Sequence, residues 1–243
     1  MTIVGMEEYN LVRILLRTAS VAYSPYPTEG TTRITCPRED SCVDIALMGA
    51  ETLIISFRGS ESWRDALTDA SRRMVQWHLR ADIYLHRGFL RHYQSIHNEL
   101  CAYIKASGRR RLLVTGHSLG GALATLCTLE LGYSNPDWYV CAYTFNAPRV
   151  GNVAFVRLLE SLRNCHLCRV ISDYDYAHRF PCIGYHHTSR VISVGVGSFS
   201  VFNPLRVIRY HSINTLCQNT RRRQNMCIRP PDSVLECPVD HAG

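Results

Sequence analysis

Apolar side chains recur along the chain with two different periods, and the segments that carry each period alternate. Leu11, Ile14, Leu15, Thr18 and Ala22 fall three and four residues apart, which predicts an amphipathic opening helix. Ser24-Pro25-Tyr26-Pro27 ends it, because proline cannot supply the N–H that a further turn needs. After a polar loop, Val43–Leu47 and Thr52–Phe57 are short apolar runs split by Gly49-Ala50-Glu51, and they predict two adjacent strands. Residues 61–80 are mixed, and helical spacing resumes over Tyr84–Leu100, around His86-Arg87-Gly88. Leu112–Thr115 is a short buried strand ending on Gly116, and Ala122–Leu131 is apolar with small residues, as a buried helix would be. The strand-then-helix order repeats in Tyr139–Phe145 and Val153–Leu162, and Leu167–Ser172 and Arg190–Val194 add strands. Such alternation without a break in composition predicts one α/β domain, residues 1–220, around a mostly parallel sheet with helices on both faces. Residues 221–243, with Arg221–Arg223, Pro230-Pro231 and Pro238, read as an extended C-terminal tail.

Composition removes several classes of protein. With 243 residues, 46% apolar and 19% charged, the chain has the makings of a packed core and not of a disordered one. The net charge of +7 comes almost wholly from arginine, Lys105 being the single lysine. These arginines are scattered, and no zinc-finger, bZIP or RRM spacing accompanies them, so nucleic acid is not the expected partner. No run approaches the roughly 18 apolar residues of a membrane span. The N-terminus has Glu7 and Glu8 where a signal peptide carries positive charge, which sets the expectation of a cytoplasmic or peripheral membrane protein in a reducing compartment. The 11 cysteines fit that expectation: their number is odd, so they cannot all pair. Cys165 and Cys168 form a CxxC, but no second CxxC or nearby His pair completes a zinc site, and neither metal nor cofactor is expected.

The chemistry concentrates where the buried strand Leu112–Thr115 meets the helix Ala122–Leu131. Between them stands Gly116-His117-Ser118-Leu119-Gly120-Gly121, a GxSxG in the strand–turn–helix context that a nucleophile elbow requires. A turn this tight strains the serine backbone, and glycines at 116 and 120 let strand and helix approach without Cβ clashes. Ser118 Oγ is then exposed at a helix N-terminus, and the Leu119 N–H points at the oxyanion that forms when Ser118 attacks a carbonyl. A serine hydroxyl needs a histidine to take its proton and a carboxylate to orient that histidine. In α/β-hydrolases they follow in the order Ser, acid, His. Asp173 and Asp175 both lie just after Leu167–Ser172, and chain order leaves His178, His186, His187, His211 and His241 as bases.

These motifs together resemble the class 3 lipases, the fungal-type triacylglycerol lipase family of α/β-hydrolases. GHSLGGALA is similar to that family's elbow, Phe57-Arg58-Gly59-Ser60 to its oxyanion segment, His86-Arg87-Gly88-Phe89 to its HxGF, and Phe145–Asn152 to its FGxPRVGN. The resemblance covers residues 10 to 217. It implies the α/β-hydrolase fold, a second oxyanion donor at Ser60, and Asp175 over Asp173, because Asp175 to Pro181 is in register with DxVPxxP. Ala177 and His178 depart from that pattern. It implies His211 as base, at the head of His-Ser-Ile-Asn-Thr, and leaves His86 and His117 structural. Between Ser60 and His86 lies the segment such a lipase uses as a lid; Trp63, Leu67 and Ala70 can share one helical face, which fits either a lid over the groove or a surface helix that packs its apolar face permanently. The activity implied is hydrolysis of lipid carboxylic esters at a membrane or lipid-droplet interface. A phospholipase A1 or lipid acyltransferase on the same residues is the alternative, and a catalytically silent lipid-binding module is a third reading.

Overall fold

The computed structural model describes residues 2–59, 73–173, 175, 177–195, 211–222 and 225–229. Ser60, the lid segment through Arg72 and the apolar run Leu205–Ile208 lie outside the described residues, as do His241 and the chain beyond Arg229.

Among the described residues, a nine-stranded sheet organises the fold. Its core is five parallel strands: β4 (Thr52–Phe57), β7 (Arg111–His117), β8 (Tyr139–Phe145), β9 (Cys165–Ser172) and β10 (Val191–Val194). Antiparallel strands close both flanks. β3 (Ser41–Met48) and β2 (Thr31–Cys36) follow β4, while β11 (Met226–Arg229) and β1 (Thr2–Ile3) follow β10. A separate hairpin pairs β5 (Met74–Trp77) with β6 (Arg80–His86).

Helices cover both faces because the parallel strands are apolar on both. Leu112 and Val114 of β7 point to one side, where α2 (Arg87–Ser107), α3 (Leu119–Ser134) and α4 (Val153–Ser161) pack. Leu113 points to the other, where α1 (Met6–Val21) supplies Val12, Leu15 and Leu16, and α5 (Ile213–Asn219) supplies Ile213 and Leu216. The two-residue period of a strand makes this division. It also decides the fate of the CxxC. Cys165 belongs to the first layer and Cys168 to the second, so two thiols three residues apart on a strand face opposite ways. Burial pushes each up to about 12, which keeps both as neutral thiols. Among the described residues no group of three or more His, Cys, Asp or Glu is placed to hold a metal ion.

Most elements predicted from periodicity stand where expected, and the exceptions are edges. The polar loop before Val43 contains β2, a half-buried strand whose only fully buried side chain is Ile34; pairing with β3 holds Thr-Thr-Arg-Ile-Thr-Cys extended without an apolar run to announce it. Tyr84–His86, assigned to a helix by spacing, end β6, and the helix begins at Arg87 with the His86 ring accepting from the Phe89 N–H at 3.2 Å. Met226–Arg229 are sheet, inserted between β10 and β1, where the sequence reads as tail. Among the described residues, no helix is long and apolar enough to cross a membrane.

Candidate active site

Three side chains meet at the carboxyl ends of the parallel strands. Ser118 stands between β7 and α3 with φ 56° and ψ −123°, a region in which a non-glycine residue carries about 1–3 kcal/mol of strain. The surroundings enforce that geometry. The Ser118 N–H donates to the Phe145 carbonyl at 2.9 Å, and its own carbonyl accepts from Gly121 and Ala122 at 3.0 and 3.2 Å, opening the helix. Neither Gly116 nor Gly120 has room for a methyl group. A Cβ at Gly116 would enter the Gly120 carbonyl, and one at Gly120 would enter the Phe57 carbonyl at the end of β4. The two glycines of the motif therefore let elbow, helix and neighbouring strand touch backbone to backbone.

His211 bridges the other two members. Its Nε2 lies 2.7 Å from Ser118 Oγ and its Nδ1 lies 2.7 Å from Asp175 Oδ2. All three residues are buried, Asp175 to 1% of its possible exposure. Asp175 sits just past β9, where its second oxygen accepts from the Ala177 N–H at 2.7 Å and its N–H donates to the Ser172 carbonyl at 3.1 Å. Asp173 is exposed and accepts from the Ser193 hydroxyl at 2.7 Å. The contact with the imidazole thus falls to Asp175. Of the other candidate histidines, His187 has its Nε2 2.5 Å from the His178 carbonyl, and the His186 N–H donates to Gly151.

Leu119 and Gly120 are the first two residues of α3, and N–H groups in a helix's first turn have no acceptor inside the helix. They and the helix dipole favour negative charge beside Ser118. With a nucleophile, an imidazole and a carboxylate in one line of hydrogen bonds, the arrangement can take a proton from Ser118 as it attacks and hold the resulting imidazolium against Asp175.

Two supporting residues escape a reading by motif alone. Asn146, at φ 49°, is fully buried; its N–H donates to the Val170 carbonyl and its Oδ1 accepts from the Ser172 N–H, both at 2.9 Å, which fixes the strand end that carries Asp175. It stands inside the segment Phe145–Asn152, so the signal was present without its reason. Tyr23 puts its hydroxyl 2.9 Å from Nδ1 of His117, and nothing in the turn Val21–Ser24 advertises that contact.

Buried imidazoles also set a pH dependence of stability. Burial lowers His117 to about 3, with the His211 ring adding to the effect, and burial first, then Arg169, holds His187 well below the ordinary range. The unfolded chain protonates these rings near pH 6.5, whereas the folded one does so only far lower. Stability is therefore full above about pH 6.5 and falls as pH drops from there toward 3, because the unfolded state binds more protons throughout that window. Urea titrations between pH 7 and 4 should show this loss, and His117→Gln should flatten part of the slope. An unchanged slope in the variant would assign the effect elsewhere.

A parallel sheet with a strand–serine–helix elbow and a Ser118–His211–Asp175 line of hydrogen bonds defines an α/β-hydrolase. The chain belongs to the class 3 lipase family: the family model Lipase (class 3) matches residues 54–185, more than half of the sequence. Among curated relatives, a lipase from Rhizomucor miehei is 38% identical over 140 residues, covering 54% of this chain and 38% of the lipase. Phospholipase A1-II 1 from Oryza sativa subsp. indica is 28% identical over 179 residues, covering 62% of this chain and 45% of that protein. The chain thus spans less than half the length of either. Among solved structures, Rhizomucor miehei triacylglyceride lipase superposes with a TM-score of 0.70 at 26% identity, over 79% of this chain and 82% of that one. A triacylglycerol lipase described as having a serine protease triad for its catalytic centre gives 0.70 at 25% identity, over the same shares.

Proposed function

We propose that the chain hydrolyses carboxylic esters of lipids through an acyl-enzyme, with Ser118 as nucleophile, His211 as general base and then acid, and Asp175 as the orienting carboxylate. The observation that carries this reading is the single imidazole at 2.7 Å from both Ser118 Oγ and Asp175 Oδ2. Ser118 Oγ attacks the ester carbonyl while its proton passes to His211 Nε2. The oxyanion is received by the N–H groups of Leu119 and Ser60. Collapse expels the alcohol, which takes the proton from His211, and water repeats the sequence on the acyl-enzyme to release the fatty acid.

The substrate is presented at the surface of a membrane or lipid droplet, where the protein works peripherally. The turn after the acid supports this: Ile183 is 94% exposed and Phe180 is 46% exposed, two apolar side chains on the loop that carries Asp175. Burying such a side chain in lipid contributes about 1.5–3 kcal/mol. The name of the rice relative favours a second reading, phospholipase A1 activity on the same residues.

A panel of triacylglycerol, phosphatidylcholine and a soluble short-chain ester, assayed with wild type beside Ser118→Ala, tests both. Fatty acid released from triacylglycerol by wild type alone is expected. Release from phospholipid alone would install the second reading. Binding of lipid with no hydrolysis of any substrate would make the chain a silent lipid-binding module.

A further inference from the structure

Resting on the proposed reading of the site, we infer that Tyr23 is a positioning residue for the reaction. Its hydroxyl ties the end of β4 to the nucleophile elbow, whose His117 ring stands beside the base. Two pieces of the chain converge on that one oxygen. It lies 2.9 Å from His117 Nδ1, and His117 is the residue immediately before Ser118. It also lies against Gly59, where an added Cβ would collide with the hydroxyl and come within 2.6 Å of the His117 carbonyl. Gly59 directly precedes Ser60, the proposed second oxyanion donor. Beside the His117 ring stands the base, with the two imidazole centroids 4.9 Å apart.

The backbone that carries Tyr23 is itself clamped. Arg33 of β2 donates through one terminal nitrogen to the Ser24 carbonyl at 2.7 Å and through the other to the Ala22 carbonyl at 3.5 Å, on either side of Tyr23. The same guanidinium makes a bidentate pair with Asp44 of β3, at 2.6 and 2.8 Å, with both side chains at most 10% exposed. Such a fork fixes direction as well as distance. Asp44, Arg33, Tyr23 and His117 thus form one continuous line from an edge of the sheet to the elbow.

The line matters for the chemistry because of what stands beside a developing imidazolium. His117 is 4% exposed and neutral, so it adds no positive charge next to His211 when His211 takes the serine proton. A neutral ring carries one N–H, and the hydroxyl at Nδ1 fixes how that ring is turned. The Tyr23 hydroxyl holds the Nδ1 side of the ring, while the His211 backbone lies against it as well. Without the hydroxyl the ring can rotate beside the base, and Gly59 loses the group it packs against.

Tyr23→Phe keeps the aromatic ring and removes one oxygen. For hydrolysis of a soluble short-chain ester, kcat is expected to fall about tenfold, the consequence of one lost neutral hydrogen bond, with KM within twofold of wild type. Fluorophosphonate labelling of Ser118 should slow by a similar factor and still reach one label per chain. In His117→Gln, adding Tyr23→Phe should cost less than twofold more, because the partner is already gone. Unchanged kcat in Tyr23→Phe, a loss confined to KM, or fully additive losses in the double variant would each overturn the proposal. Wild-type protein that does not label at Ser118 would overturn the underlying reading, and this proposal with it. Should Tyr23→Phe fold poorly, Asp44→Asn, which loosens the Arg33 clamp from outside the site, is expected to show the same split between kcat and KM. An unchanged kcat there would count equally against the proposal.

Discussion

Ser118→Ala is expected to lower kcat for ester hydrolysis by about a millionfold, the scale of loss when a serine nucleophile is removed from such a triad. The variant keeps the fold, because alanine accepts the same backbone hydrogen bonds and takes up no more space. It also keeps the proposed oxyanion N–H groups and the apolar side chains around the site, so KM should change far less than kcat. A fluorophosphonate ester should label wild type once, at Ser118, and fail to label the variant. Activity within a hundredfold of wild type in Ser118→Ala would mean that another group attacks the ester.

Asp175→Asn is expected to lower kcat by about 10⁴. The asparagine can fill the same space, but an amide cannot stabilise the imidazolium, and its NH₂ faces His211 Nδ1 as a donor where an acceptor is needed. Asp173→Asn should cost little, since its partner is the Ser193 hydroxyl and an amide oxygen accepts that bond nearly as well. Measuring the two variants side by side on one substrate decides between the carboxylates, and the opposite order would move the assignment to Asp173.

The two aspartates also show what a sequence can and cannot say. Both stand two residues apart after a strand, and composition and periodicity do not separate them; only the register with Pro181 prefers one, and it is the backbone turn at Ser172 that points Asp175 inward. Strands and helices that bury a face were legible, because burial writes its period into the side chains, as in Tyr139–Phe145, found with its observed bounds. The strands near the two ends of the sheet were not. β2 and β11 owe their extension to neighbours far away in the chain, and Thr-Thr-Arg-Ile-Thr-Cys carries little of its own. Ser118 and Leu119 were legible because an elbow is a local object. Tyr23 was not, since its partners are 36 and 94 positions away and the link depends on how α1 leaves the sheet.

The pairing of β11 between β10 and β1 bears on the order in which a newly made chain becomes competent. The elbow around Ser118 can form once β4, β7 and β8 exist, little more than halfway along the sequence. His211 comes almost a hundred residues later, and it leads directly into α5, which packs on α1; Tyr9 of α1 donates its hydroxyl to the Arg221 carbonyl just beyond. Among the described residues β1 pairs only with residues 226–229. The residues that build the elbow thus precede in sequence both the proposed proton acceptor and the strand that pairs with β1. On the proposed reading, a chain extended only as far as the elbow holds a serine without the imidazole that would take its proton.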